Sequence, residues 1–166
     1  MNLLALDTST EACSAALSWA GQLSVREVEA PRGHADLLLP MIDELLGDAG
    51  ITLSDLHAIA FARGPGSFTG VRLSASVTQG LAFGAGLGVV PVSSLRAVAW
   101  QVIGVPAGAH DGVVVCNDAR MQQVYWCAYR PGADGLPSAL MAEAVGAPES
   151  VLRPPGNGWL GAGRGF

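Results

Sequence analysis

Apolar positions near the start of the chain come in short runs divided by turn residues. Asn2 to Leu6 runs into Asp7-Thr8-Ser9-Thr10, Cys13 to Trp19 alternates small and larger side chains up to Ala20-Gly21, and Leu23, Val25 and Val28 follow. Closely spaced runs of this kind predict three strands in an antiparallel meander. After Pro31-Arg32-Gly33 the period changes. From His34 to Ala49, Leu38, Met41 or Ile42, Leu45 and Leu46 recur at helical spacing, and Gly50 supplies a C-terminal stop. Pro40 is expected to bend the start of this helix. Its apolar stripe, which also takes in Leu37 and Leu39, is wider than one core face needs, so a second neighbour is expected, one from another protein chain.

Ser54-Asp55-Leu56 reads as a short turn, and Ala58 to Ala62 as a strand entering Arg63-Gly64-Pro65-Gly66-Ser67-Phe68-Thr69-Gly70-Val71-Arg72. A helix from about Thr69 to Phe83, a strand at Val89 to Val92 and a helix from Ser93 to Ile103 complete the first half. Strand and helix alternating through short links predict parallel strands. From Leu73 to Leu95 no residue is charged, but the stretch holds five Gly or Pro positions and several Ser, Thr and Gln. It therefore predicts a buried helix and a buried strand rather than a membrane span. Gly104-Val105-Pro106-Ala107-Gly108-Ala109 is the one credible internal linker. Beyond it lie strands at Gly112 to Cys116 and Val124 to Tyr129, joined by Asn117 to Gln123, and then a Gly- and Pro-rich remainder. Two lobes are expected, 1–106 and 107–166, the second incomplete.

Composition narrows the function classes. Half of the 166 residues are hydrophobic, enough for a proper core. The net charge is −5, and the nine basic residues are scattered arginines, with no lysine. Such a surface offers no stripe to neutralise several phosphates, which argues against strong direct binding of nucleic acid. Cys13, Cys116 and Cys127 are too few and too far apart for a disulfide framework or a zinc site, so a reducing compartment is expected. Met1 to Leu6 lacks the basic region of a signal peptide.

The chemistry concentrates in two turns. In Gly64-Pro65-Gly66, Pro65 presets one dihedral and Gly66 is expected at positive φ, as a type II turn requires. Ser67 or Thr69 then caps a helix whose free N–H groups, flanked by Arg63 and Arg72, form a candidate anion site. A phosphate-binding P-loop is excluded, because Val71-Arg72 stands where Lys-Ser/Thr is needed. The other reading is a tight strand-to-helix connection that binds nothing. Asp7-Thr8-Ser9-Thr10 likewise reads as a metal or phosphate turn or as an ordinary one. His34, beside Asp36 and without a second His at helical spacing, reads as a helix-start residue rather than a ligand. The histidines at 34, 57 and 110 fall in separate elements, which disfavours a metallopeptidase.

Several of these motifs resemble the bacterial TsaB (YeaZ) family. They are Asp7-Thr8-Ser9-Thr10 with Cys13-Ser14-Ala15-Ala16-Leu17, His34 with Leu38-Leu39-Pro40, Gly64 to Arg72, and Asp118-Ala119-Arg120-Met121 with Val124-Tyr125. The resemblance implies an α/β fold of the actin-like, sugar-kinase and heat-shock-ATPase kind: a mixed sheet of three antiparallel strands plus parallel strands, with helices on both faces. It implies a cytoplasmic, non-catalytic subunit in making threonylcarbamoyladenosine at the tRNA base 3′ of the anticodon. Its partners would be a related catalytic chain, TsaD, and the ATPase TsaE, with a homodimer when alone, tRNA met only indirectly and no membrane. The catalytic relative's His-x-x-x-His metal pair falls here on Ser94 and Val98, poor ligands for a divalent metal. No cofactor is then expected beyond weak ATP or ADP binding, for which Asp7, Ser9, Gly64, Gly66, Ser67, Thr69, Gly70 and Arg72 are the candidate residues. A first-turn phosphate loop for nucleotide hydrolysis would want glycine where Thr8 and Ser9 stand. The surplus of Leu38, Met41, Ile42 and Leu45 with Ser74, Thr78 and Leu81 is expected to form the partner interface, and the resemblance implies that the same two helices of a related chain pack on it.

Overall fold

A computed structural model describes residues 1–30, 32–103, 110–156 and 158–166. Two compact units divide the chain at Val92/Ser93. The expected linker at Gly104 to Ala109 lies outside the described residues, as does Pro31. The division precedes that linker because the helix Ser94–Ile103 carries Leu95 and Ala99 into the core of the second unit.

The first unit is a five-stranded sheet in the order β3-β2-β1-β4-β5, made of β1 (Leu3–Asp7), β2 (Ala12–Trp19), β3 (Gln22–Glu29), β4 (Ala58–Ala62) and β5 (Gly88–Val92). β1, β2 and β3 form the antiparallel meander, and β4 and β5 join in parallel. Two helices connect the later strands: α1 (His34–Ala49) leads into β4 and α2 (Phe68–Ala85) links β4 to β5. α1 begins and ends where its period predicted. Gly50 closes it at φ 66, a left-handed conformation that costs glycine little.

Both helices bury their apolar sides in one cluster with Leu4 and Leu6 of β1, Cys13, Ala15 and Leu17 of β2 and Ile59 of β4. Leu38, Ile42 and Leu45 are at most 2% exposed there, and burial of each side chain stabilises the unit by about 1.5–3 kcal/mol. Leu73, Val77 and Leu81 of α2 and Leu56 pack on the same cluster. Leu38, Met41, Ile42, Leu45 and Leu46 of the wide α1 stripe are thus absorbed inside the unit, with Leu37 partly buried beside them, while Leu39 stays about half exposed.

β5 is not the buried strand expected. Val89 and Val90 are about half exposed, because β5 forms the edge of the sheet. Arg63 N–H donates to the Val92 carbonyl at 2.9 Å, so Val92 faces β4 and the adjacent Pro91 turns its missing donor outward, where an edge strand tolerates it.

The second unit packs α3 (Ser94–Ile103) on a sheet ordered β10-β6-β7-β8, with β9 also on β7. β6 (Gly112–Arg120) and β7 (Gln123–Pro131) are longer than their apolar runs. β8 (Pro137–Ala139), β9 (Ala144–Gly146) and β10 (Trp159–Ala162) arise in the Gly- and Pro-rich remainder. β10 pairs in parallel with β6. The central strands are covered on both faces: Leu95, Val113, Val115, Cys127 and Tyr129 fill one cluster, and Val114, Cys116, Val124, Trp126 and Ala128 the other. Among the described residues no helix is long and apolar enough to cross a membrane.

Two hairpins turn through two residues, the second after a register shift at Asp118/Arg120 that the first lacks. Between β2 and β3, Ala20 and Gly21 take φ 50 and 78. Between β6 and β7, Met121 and Gln122 take φ 52 and 60, and Arg120 before them φ 65. Positive φ at both loop residues is what a type I′ hairpin requires. Outside glycine each such residue costs roughly 1–2 kcal/mol.

Candidate functional site

The end of β1 and the start of α2 meet in a tight crossing. The Thr8 hydroxyl, wholly buried, donates to the Gly70 carbonyl at 2.6 Å. Ser67 N–H donates to the Ser9 carbonyl at 2.7 Å, and Ser9 N–H to Asp7 Oδ1, also at 2.7 Å. One turn further along α2, the Ser74 hydroxyl donates to the Leu6 carbonyl at 3.2 Å. A Cβ on Gly70 would stand 1.8 Å from the Thr8 carbonyl oxygen, and one on Gly66 2.4 Å from that of Ser9. Both glycines are required by the closeness of two backbones.

The turn differs from its sequence expectation. Positive φ belongs to Gly64, at 88°, and not to Gly66, so Gly64-Pro65-Gly66 is not the expected type II turn; the Gly64-Pro65 bond is cis. Gly66 is needed for want of a side chain, since Ser9 occupies the space a Cβ would take. Ser67 is the N-cap, as expected, with its hydroxyl accepting from Gly70 N–H at a long 3.4 Å.

The candidate anion residues are only partly gathered. Ser9, Gly66, Ser67 and Gly70 converge, together with Thr8. The donors expected to face an anion are largely used within the chain: Ser67 N–H on Ser9, Gly70 N–H on Ser67 Oγ, and Val71 N–H on the Ser67 carbonyl. Arg72 lies back on its own helix, its guanidinium 3.4 Å from the Phe68 ring centroid and Nη1 donating to the Phe68 carbonyl at 2.9 Å. Thr69 is exposed, and Asp7 is held by Ser9. The crossing acts as a clamp between β1 and α2. Thr8, which carries its shortest side-chain bond, was visible in the sequence only as part of the Asp7-Thr8-Ser9-Thr10 turn, not as the donor that ties it to Gly70.

The residues expected at a partner interface are not on the surface. Leu38, Met41, Ile42 and Leu45 belong to the first core, Ser74 and Thr78 are at most 1% exposed, and Leu81 packs against that core. Helical period gave the width of the apolar face but could not show that the core of the first unit takes up most of it.

The outer face of α2 presents other residues. Ser76, Gly80 and Gly84 are exposed at successive four-residue steps, and a Cβ on either glycine would meet nothing within 4 Å. Phe83 beside them is 91% exposed. It borders a groove of about 570 Å³ against β5, lined also by Phe61, Ala75, Thr78 and Val89. The Thr78 hydroxyl oxygen there is buried without a hydrogen-bond partner. Two glycines four residues apart in a helical run were visible in the sequence; their common outward face was not.

In the second unit Ser94 opens α3 and is nearly buried, while Val98 packs beside the α3 core. Ser93 Oγ accepts from Arg96 N–H at 3.1 Å. Among the described residues no group of three or more His, Cys, Asp or Glu is placed to hold a metal ion. His34 Nε2 lies 2.7 Å from the Ala30 carbonyl, next to its own helix start, and His57 Nδ1 accepts from Asn2 N–H at 2.9 Å, tying the segment before β4 to the start of β1. Burial pushes the thiols of Cys13, Cys116 and Cys127 upward, and the charge of Asp7 adds to this at Cys13. None is an activated thiolate.

A mixed α/β chain of two units, with a meander and parallel strands clamped through a glycine-rich turn, defines the class. The family described as "TsaD: tRNA N6-adenosine threonylcarbamoyltransferase" matches residues 27–160. Within that class the chain belongs to the TsaB (YeaZ) family. It is 39% identical to the tRNA threonylcarbamoyladenosine biosynthesis protein TsaB of Escherichia coli, over the whole of this chain and 72% of that protein. It is 50% identical to TsaB of Haemophilus influenzae over 76% of this chain, and spans about half (52%) of that relative's length. The solved structure of YeaZ from Pseudomonas aeruginosa superposes with a TM-score of 0.88 at 45% identity, covering 96% of this chain and 74% of that one.

Proposed function

We propose that the chain is a non-catalytic subunit of tRNA threonylcarbamoyladenosine biosynthesis that docks on a TsaD-type catalytic chain through the outer face of α2. The observation that carries this is the composition of that face. A glycine inside a helix costs about 0.8–1.0 kcal/mol relative to alanine, and among the described residues a Cβ on Gly80 or Gly84 meets nothing within 4 Å that would need the missing side chain. An approaching helix does need it, because small residues let two backbones come close. Phe83 supplies the anchor, an aromatic ring exposed beside an apolar groove. Ser94 and Val98, where the catalytic relative is expected to hold its metal, offer no useful ligand. The catalysis is thereby left to the partner. The same face serves for pairing with a second copy when the partner is absent, with a TsaE-type ATPase joining the assembly in a bacterial cytoplasm.

The test is Phe83→Asp. An exposed ring can be replaced without disturbing the core, so circular dichroism and Tm are expected to stay unchanged. Affinity for a purified TsaD-type chain, measured by calorimetry, falls at least tenfold, about 1.4 kcal/mol or more, and threonylcarbamoylation of tRNA in the reconstituted system falls with it. Wild-type affinity in this variant would place the docking face elsewhere.

A further inference from the structure

The β6–β7 hairpin carries the Asp118-Ala119-Arg120-Met121 stretch. Arg120, Met121 and Gln122 are three successive non-glycine residues at positive φ, 65, 52 and 60°. The same chain builds the β2–β3 hairpin, which also turns through two residues but without the register shift at Asp118/Arg120, around a glycine at Gly21. Glycine, asparagine or aspartate is the residue such a loop favours. At the tip itself Met121 is 91% exposed, so its own burial does not account for the costlier choice.

The tip is nonetheless held in place. Asp118 Oδ1 accepts from Arg120 N–H at 2.8 Å, and Asp118 Oδ2 accepts from Arg120 Nη1 at 3.1 Å. A side chain carried on a backbone fixed in advance loses less freedom on binding. Methionine is unbranched and polarisable, suited to filling an apolar pocket of irregular shape. Arg120 is balanced by Asp118, and Gln122 and Gln123 are neutral, so the tip offers no net charge to a phosphate backbone.

We propose that the β6–β7 tip is a second docking element, which inserts Met121 into an apolar pocket on a protein partner. Resting on the function proposed above, that partner is the TsaD-type catalytic chain. The contact is made by the second unit, independently of the α2 face on the first. Strain in the tip persists because the residues that relieve it, Asn-Gly, would remove the inserted side chain.

Two variants of the full chain test this against the purified TsaD-type chain. Met121→Asn with Gln122→Gly gives the loop its preferred residues: Tm is expected to rise by several degrees while affinity falls at least tenfold. Met121→Gln keeps the length of the side chain and removes its apolar character, and affinity falls severalfold at unchanged Tm. Failure of the double variant to gain stability overturns the strain on which the proposal rests. Wild-type affinity for Met121→Gln overturns the contact, and if Phe83→Asp weakens binding in the same assay the broader functional reading stands without it. A wild-type chain that does not bind the TsaD-type chain at all overturns both.

Discussion

Gly70 and Gly80 lie on the same helix, yet the first is explained by its own chain and the second is not. At Gly70 the Thr8 carbonyl would stand 1.8 Å from a Cβ, so any side chain there breaks the clamp between β1 and α2. At Gly80, as at Gly84, a Cβ would meet nothing within 4 Å. One glycine is a condition of folding, and the other weakens the folded helix. Residues that the fold requires and residues that it merely carries are thus separated by a steric question, and the second group is where contacts outside the chain are to be sought. The two hairpins repeat the contrast, since Gly21 relieves its loop while Met121 and Gln122 strain theirs.

Breaking the first half of this comparison has the largest expected effect. Gly70→Ala forces β1 and α2 apart and is expected to cost about 3 kcal/mol, the upper part of the range for overpacking. Urea unfolding measures it, and an unchanged midpoint would show that the crossing is looser than described. Gly80→Ala with Gly84→Ala sharpens the other half. Together they are expected to stabilise the isolated chain by about 1.6–2 kcal/mol, while the added methyl groups weaken association with a TsaD-type chain. A variant both more stable and equally good at association would leave these glycines without the role given to them. The smallest effect is that of Thr8→Val, which keeps the shape but loses the donor to Gly70 O. A loss of about 1 kcal/mol is expected in the same unfolding experiment.

The comparison also explains what was legible in advance. The period of α1 gave its span from His34 to Ala49 without error, and turn residues gave the meander of β1, β2 and β3. Both are local properties, set by neighbours along the chain. The glycine-rich turn was recognisable as the pivot of the first unit, but its positive φ was expected at the wrong glycine. Gly64 carries the positive φ, and Gly66 makes room for Ser9, a residue far away in sequence.

Amino-acid order by itself determined where the helices and the first strands form, the exclusion of a P-loop and of a cysteine framework, and the resemblance that pointed to the family. Only the tertiary structure decided which side of each element is used. It buried Leu38, Met41, Ile42 and Leu45, left Phe83 outside, put β5 at an edge and drew β10 beside β6. The physical reason is that periodicity records how much apolar surface an element must cover. What covers it depends on long-range packing, which the order of residues does not display.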